Sequence, residues 1–350
     1  MTESIKVSPS VRFSRTLIEP ALRAVVDDYH DDVARIVRYH FGWATPTGTP
    51  VDGGEAAGGK CSRGTLVFAA AHAVCGRFEM ALPAAVGVEL AHNSSIIHDD
   101  VIDGDAERRG RATVWAQFGT SLAVLAGDAL LVSALRVLAD PGSCDGRASA
   151  LMARANERLI AGQVREAVLH GGDTGSIDDY LDVAENKTGA LLECSVELGA
   201  LFGGADESTV ELMGVAARHM GIAWQAANDV EDIWGNAAVT GKPARSDLRR
   251  RIRTLPVLAA LETGGPAARA LAERWHATSA GDDQEVDALA ELVEQAGGRV
   301  AAEDVSRQHL DIALSRLADT DLPPGAVASL AELFHLIVTR KSTIAPESGS

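Results

Sequence analysis

Aromatic residues make up only 4% of this 350-residue chain, and there are just four cysteines. So few rings leave little material for a β-sandwich core. The 46% hydrophobic content has to come from Ala, Leu and Val, which favours packed helices. Cys61, Cys75, Cys144 and Cys194 show no C-x-x-C spacing, which argues against a zinc site or a disulfide framework and reads as free thiols in a reducing cytosol. Basic charge is also short. Thirty-two Lys and Arg against 49 Asp and Glu leave a net charge of −17, the wrong sign for a nucleic-acid groove. The opening MTESIKVSPSVRFSRTL has no apolar run suited to a signal peptide, and no stretch is read as approaching the roughly 20 apolar residues of a membrane span. A cytoplasmic protein is expected, without nucleic acid as a partner and without stable membrane insertion.

Helical periodicity is abundant. Apolar residues recur at Leu17, Leu22, Val25, Val33, Ile36 and Val37, which predicts a helix or helix pair from Thr16 to about Phe41. GWATPTGTPVDGGEAAGG then breaks the pattern as a loop. Further helical segments are LPAAVGVELAHNSSIIHDD, FGTSLAVLAGDALLVSALRVLA, MARANERLIAGQVREAVLH, YLDVAENKTGALLECSVELGALFGG and TVELMGVAARHMGIAWQAANDVEDIWG, with Ser176 to Asp179 resembling a helix cap. No convincing strand pair is found, and no break in composition forces a split. Residues 1–350 are therefore read as one all-α domain around a central cavity, with about 1–12 and 344–350 expected to be disordered.

Chemistry concentrates in HDDVIDGDAERRG. Asp99 and Asp103 stand four apart on a predicted helix and so share a face. With Asp100 they form a cluster of hard oxygen donors that calls for a divalent cation, most naturally magnesium. Arg108 and Arg109 follow, and acid then base suits a metal-bound phosphate or diphosphate. Upstream, Gly58, Gly59, Lys60 and Arg63 precede an apolar helix, an arrangement open to an anion. His92 lies two turns before Asp99. Gln225, Asn228, Asp229 and Asp232 make a second polar and acidic cluster, and Lys187 and Thr188 sit within an apolar helix. The basic stretch GNAAVTGKPARSDLRRRIRTLP has the length of a functional loop.

In this order and spacing the motifs resemble those of the trans-isoprenyl diphosphate synthases, or polyprenyl synthetases, over roughly residues 58 to 260. GGKCSR resembles the family's GGKxxRP, and HNSSIIHDDVIDGDAERRG its first aspartate-rich region. The KTG at Lys187, WQAANDVED and TGKPARSDLRRRIRTLP follow in family order. YHFGW and WGNAAVTGKP look most like the actinobacterial geranylgeranyl diphosphate synthase branch.

The resemblance implies the all-α isoprenoid synthase fold and a homodimer. It implies condensation of an allylic diphosphate with isopentenyl diphosphate, using three magnesium ions per site. Asp99 and Asp103, supported by Asp100, would ligate magnesium on the allylic diphosphate, and Asn228, Asp229 and Asp232 a further ion from the facing helix. Arg108, Lys187, Thr188 and Gln225 would contact the allylic substrate, and Lys60, Arg63, His92 and Arg109 the diphosphate of isopentenyl diphosphate. Asp99, Asp103, Lys187 and Asp232 are the expected catalytic residues. Product length in the family depends on side chains before the first acidic motif. Ser94, Ser95, Ala91, Val88 and Gly87 are small enough for a chain of about twenty carbons.

Three departures fall at substrate positions. Asn228 replaces the first acid of the second motif, Ile252 the lysine of GKxTLP, and Gly64 the proline after Arg63. They keep open transfer of a preformed prenyl group to another acceptor such as an indole, a terpene cyclase, and a nonenzymatic subunit of a heteromeric synthase.

Overall fold

The computed structural model describes residues 9–51, 62–139, 144–170, 175–235, 245–275 and 283–339. Gly58, Gly59, Lys60 and most of the segments expected to be disordered lie outside them, although the first helix already begins at Pro9. In chain order the helices are α1 (Pro9–Asp27), α2 (Asp31–His40), α3 (Ser62–Cys75), α4 (Leu82–Asp103), α5 (Val114–Phe118), α6 (Thr120–Leu138), α7 (Arg147–His170), α8 (Ile177–Val183), α9 (Ala190–Phe202) and α10 (Glu207–Trp234). They continue with α11 (Ser246–Arg249), α12 (Leu255–Glu262), α13 (Pro266–Trp275), α14 (Asp283–Gln295), α15 (Gly298–Ala318) and α16 (Pro324–Thr339). The all-α expectation holds. One small correction concerns strands: β1 (Glu107–Arg108) and β2 (Arg111–Ala112) pair antiparallel through a two-residue turn at Arg109 and Gly110.

Local chemistry explains several boundaries. The expected cap before α8 is a reciprocal capping box, in which Ser176 Oγ accepts from Asp179 N at 3.1 Å and Asp179 Oδ2 accepts from Ser176 N at 3.1 Å. Helix α2 begins with Asp31 and Asp32 and carries Arg38 in its last turn, charges that complement its dipole. Helix α4 stops where Gly104 turns left-handed at φ 70° and donates to the Asp100 carbonyl. The segment expected to run unbroken from Tyr180 to Phe202 instead contains a π-helical turn, Ala184–Gly189, between α8 and α9.

The chain divides into two compact units. The first comprises Met1–Asn156, Leu191–Gly214 and Asp321–Leu330, and the second Glu157–Ala190, Val215–Thr320 and Ala331–Ser350. In the first unit the dominant packing is α4 against α6, with α1 and α3 on another side of α4. Small residues allow that approach. A Cβ on Gly87 would lie 3.2 Å from the Leu138 side chain, and one on Gly127 would overlap His98. Gly87 therefore serves helix packing here and does not open a tunnel, as its small size had suggested. In the second unit Ile233, Leu248, Val257, Leu271, Trp275, Val286, Leu289 and Val293 gather α10 to α14 around one apolar cluster.

Helix α6 also corrects the expectation about apolar runs. By length and composition its 19 residues are apolar enough to cross a membrane. Only 39% of the window is buried, because α4 covers one face and Leu125 and Val132 stay 60% and 63% exposed on another.

Candidate active site

In the first unit α4 carries the acids and the hairpin carries the arginines. At about 100° per residue, Asp99 and Asp103 point about 40° apart, while Asp100 turns away from Asp99. The structure bears out that division. Asp100 is buried and its Oδ1 accepts from Arg108 Nε at 2.7 Å. Burial pushes its carboxyl up, and the Arg108 charge opposes the shift. Asp100 thus orients Arg108, which also lies 4.0 Å from Asp105. Asp99 is half-buried and Asp103 is exposed at the helix end.

The hairpin turn bends because Arg109 and Gly110 both have positive φ, 53° and 72°. Glycine adopts that region freely, whereas an arginine there is held by its surroundings. The turn directs Arg108, Arg109 and Arg111 towards a pocket that Tyr39, His40, Asn93 and Ile96 also line. Arg111 Nη2 donates to the Tyr39 carbonyl at 2.8 Å and its guanidinium lies 4.5 Å from the Tyr39 ring centre. His40 is pushed down to about 4, first by burial and then by the nearby arginines. As a neutral ring it donates from Nε2 to Asn93 Oδ1 at 2.9 Å.

Arg63, on the first turn of α3, donates from Nη1 to His92 Nε2 at 2.7 Å. Burial, with Arg63 and Arg109 nearby, holds His92 well below its usual pKa, and because Arg63 can only donate, His92 Nε2 is the acceptor. Glu89 lies one turn before His92 and is also buried. Of the four residues expected to bind isopentenyl diphosphate, Arg63 and His92 are in contact. Arg109 is close enough to influence His92 electrostatically.

In the second unit the π turn positions Lys187 and Thr188. Lys187 Nζ pairs with Glu166 of α7. Arg158, four residues before Gly162 as Glu166 is four after it, donates to Asn186 Oδ1 at 3.1 Å. Thr188 Oγ1 donates to Gln225 Oε1 at 3.1 Å, and Gln225 Nε2 donates to Asp229 Oδ1 at 3.0 Å. Asp229 is buried, and its other oxygen accepts from Leu255 N at 3.2 Å. Burial pushes Asp229 up to about 7, with Asp247 adding to the shift and Tyr180, Leu255 and Gln225 opposing it. Asp232 Oδ2 accepts from Asp247 N at 3.0 Å at the start of α11. Of Arg251 and Arg253, which flank Ile252 and could replace its missing charge, Arg251 is turned elsewhere. It lies 3.6 Å from Glu285 and 5.7 Å from the Trp275 ring centre.

Among the described residues no group of three or more His, Cys, Asp or Glu side chains is set to enclose a metal by itself. Magnesium characteristically takes one or two carboxylates and completes its shell with water and substrate phosphate, so Asp99 and Asp103 fit such an ion. Glu89, Asn93, His40, Arg111, Gly162 and Glu166 contact or neighbour the candidate residues and were passed over in the sequence. The spacing of Arg158, Gly162 and Glu166, four residues apart on one helix face, was the available signal for the last two.

The sequence model of the polyprenyl synthetase family matches residues 49–293. A farnesyl diphosphate synthase of Mycobacterium tuberculosis is 40% identical over 95% of this chain and 93% of its own length. A geranylgeranyl diphosphate synthase of the same organism is 38% identical over 92% and 91%. The crystal structure of a polyprenyl synthetase from Streptomyces coelicolor superposes with a TM-score of 0.89 at 39% identity, covering 95% of this chain and 99% of that one.

Proposed function

The chain belongs to the polyprenyl synthetase family, the trans-isoprenyl diphosphate synthases, and we propose that it extends an allylic diphosphate with isopentenyl diphosphate as far as geranylgeranyl diphosphate. The observation that carries this reading is the division of labour along α4. His92, bonded to Arg63, lies two turns before Asp99 and Asp103, which share one face of the helix end. One end suits a diphosphate bound by protein cations alone, the other a diphosphate bound through metal.

Asp99 and Asp103 of the first unit and the oxygens of Asn228, Asp229 and Asp232 of the second would each hold magnesium, which would supply electrophilic pull on the departing diphosphate. Arg108, steadied by Asp100, and Lys187 and Thr188 on the π turn hold the allylic substrate, and Gln225 orients Thr188. Lys60, Arg63, His92 and Arg109 hold isopentenyl diphosphate with its double bond towards C1 of the allylic chain. The C1–O bond breaks, the double bond attacks C1, and a proton leaves to the released diphosphate. A homodimer and a cytoplasmic setting belong to the same reading. The α6 face carrying Leu122, Leu125 and Val132 is the apolar surface a second copy would cover.

The test is incubation of the purified protein with magnesium, labelled isopentenyl diphosphate and dimethylallyl, geranyl or farnesyl diphosphate in turn. A twenty-carbon alcohol released only by phosphatase is expected. A fifteen-carbon end product would instead assign farnesyl diphosphate synthesis, and no elongation with any primer would overturn the reading.

Twenty carbons follow from Ser94 and Ser95, which put no bulk one turn before the acids. Ser95→Phe is expected to shorten the main product to fifteen carbons, as read by chromatography of the alcohols. An unchanged length would place the pocket floor elsewhere.

A second reading, transfer of a preformed prenyl group to an acceptor such as an indole, is favoured by the second cluster. Asn228 brings no charge, and Asp229 is engaged by Gln225 and the Leu255 N–H. The two readings diverge for Asn228→Asp. Elongation predicts that the magnesium concentration for half-maximal rate falls by about threefold or more, since a charged ligand binds a hard cation more tightly. A changed acceptor chemistry predicts that the variant loses its native activity.

A further inference from the structure

Helix α3 begins at Ser62, so the N–H of Gly64 is one of the first-turn donors that no intrahelical carbonyl can reach. It is satisfied from another helix. Gly64 N donates to Glu89 Oε1 of α4 at 2.8 Å, and Glu89 is only 3% exposed. A carboxylate against a helix N-terminus is favourable, and this one fixes the turn that carries Arg63. Arg63 in turn reaches His92, three residues beyond Glu89 on the same face of α4. Two contacts between the same pair of helices, Gly64 to Glu89 and Arg63 to His92, therefore set one geometry. The clamp depends on residue 64 keeping its N–H. Proline, which the family pattern places there, would be tolerated in a first helical turn but could not donate.

We infer that Glu89 is a positioning residue for the isopentenyl diphosphate site, clamping the Gly64 N–H so that Arg63 is held against His92 for the substrate's diphosphate. This rests on the proposed function for the identity of its ligand. The clamp acts through hydrogen-bond geometry. Glutamine at 89 keeps an oxygen for Gly64 and removes a negative charge that competes with the diphosphate. Alanine removes the acceptor and leaves the Gly64 N–H buried without a partner, while Arg63 loses its counter-charge.

The experiment compares wild type, Glu89→Gln and Glu89→Ala. It reads KM for isopentenyl diphosphate and for the allylic primer, kcat, thermal midpoint, and calorimetric affinity for inorganic pyrophosphate without metal. Glu89→Ala is expected to raise KM for isopentenyl diphosphate by about tenfold or more and to weaken pyrophosphate binding in parallel, with KM for the primer little changed. Glu89→Gln is expected to stay within about threefold of wild type on every readout. If Glu89→Ala is too unstable to assay, Gly64→Pro combined with Ile18→Ala takes its place. The second change makes room, because a Cβ on Gly64 would come within 2.5 Å of Ile18 Cδ1. Equal effects on both substrates, or a glutamine variant as impaired as the alanine one, would overturn the clamp. If wild type turns over no isopentenyl diphosphate, the proposed function falls. A pyrophosphate affinity that still drops in Glu89→Ala but holds in Glu89→Gln would keep the clamp, and an unchanged one would overturn it too.

Discussion

Replacing Asp99 with alanine is expected to lower kcat/KM for the allylic diphosphate by more than about a thousandfold, or about 4 kcal/mol of transition-state stabilisation. The size follows from where the residue sits on the helix. Of the three acids at the end of α4, Asp100 is buried and bonded to Arg108, and only Asp99 and Asp103 share the face that a cation can use. A magnesium ion that takes one or two carboxylates loses half of its protein ligands here with one substitution. Folding should be spared, because Asp99 is half-buried near a helix end and the α4 core lies further back at Leu90 and Ile97. Steady-state kinetics over a range of magnesium concentrations, with a thermal melt as control, would check this. A variant within tenfold of wild type at saturating metal would remove metal-assisted ionisation at this cluster.

Asp100 shows where sequence reasoning stops. Its grouping with Asp99 and Asp103 is visible in the spacing. Its attachment to Arg108 depends on a hairpin whose turn needs a positive φ at Arg109 as well as at Gly110, and no propensity announces that for an arginine. The helices themselves were legible, because apolar periodicity and caps such as Ser176 agree with the tertiary packing. The π turn was not. Lys187 and Thr188 stand in a run of small and apolar residues that any periodic reading continues as α-helix, and the extra residue is inserted by what packs against it. Glu89 carries no local signal of its role, since the donor it serves, the Gly64 N–H, lies 25 positions away in the chain. Long-range hydrogen bonds of this kind leave no local trace. Arg251 fails in the opposite direction. Its proximity in sequence to Ile252 suggests a replacement charge, but with a left-handed φ of 56° it lies beside Glu285 and Trp275.

Gly162→Ala is expected to reduce kcat by about a hundredfold and to lower stability by about 1–3 kcal/mol, although alanine is the better helix former. Two effects compete. In an exposed helix the change would stabilise by about 0.5–1 kcal/mol. At this position the new Cβ would lie 2.5 Å from the Lys187 nitrogen and 2.9 Å from both the Asn186 carbonyl carbon and the Lys187 Cα. All three are backbone atoms, so no side chain can rotate away and the π turn itself must move. Arg158 and Glu166 grip that turn from either side of Gly162, through Asn186 and Lys187, so displacement also breaks those contacts. Thr188, one residue further on, would lose its alignment with Gln225 and through it with Asp229. Displacements of about an ångström at substrate-positioning groups are enough for the loss in rate. Ala161→Gly, on the exposed side of the same helix, is the control, expected to lose about 0.5–1 kcal/mol of stability with kcat nearly unchanged. KM for isopentenyl diphosphate should stay near wild type in both variants, since Arg63 and His92 sit on α3 and α4. A Gly162→Ala enzyme that is more stable than wild type and fully active would mean that α7 and the π turn are not in the contact on which the placement of Lys187 depends.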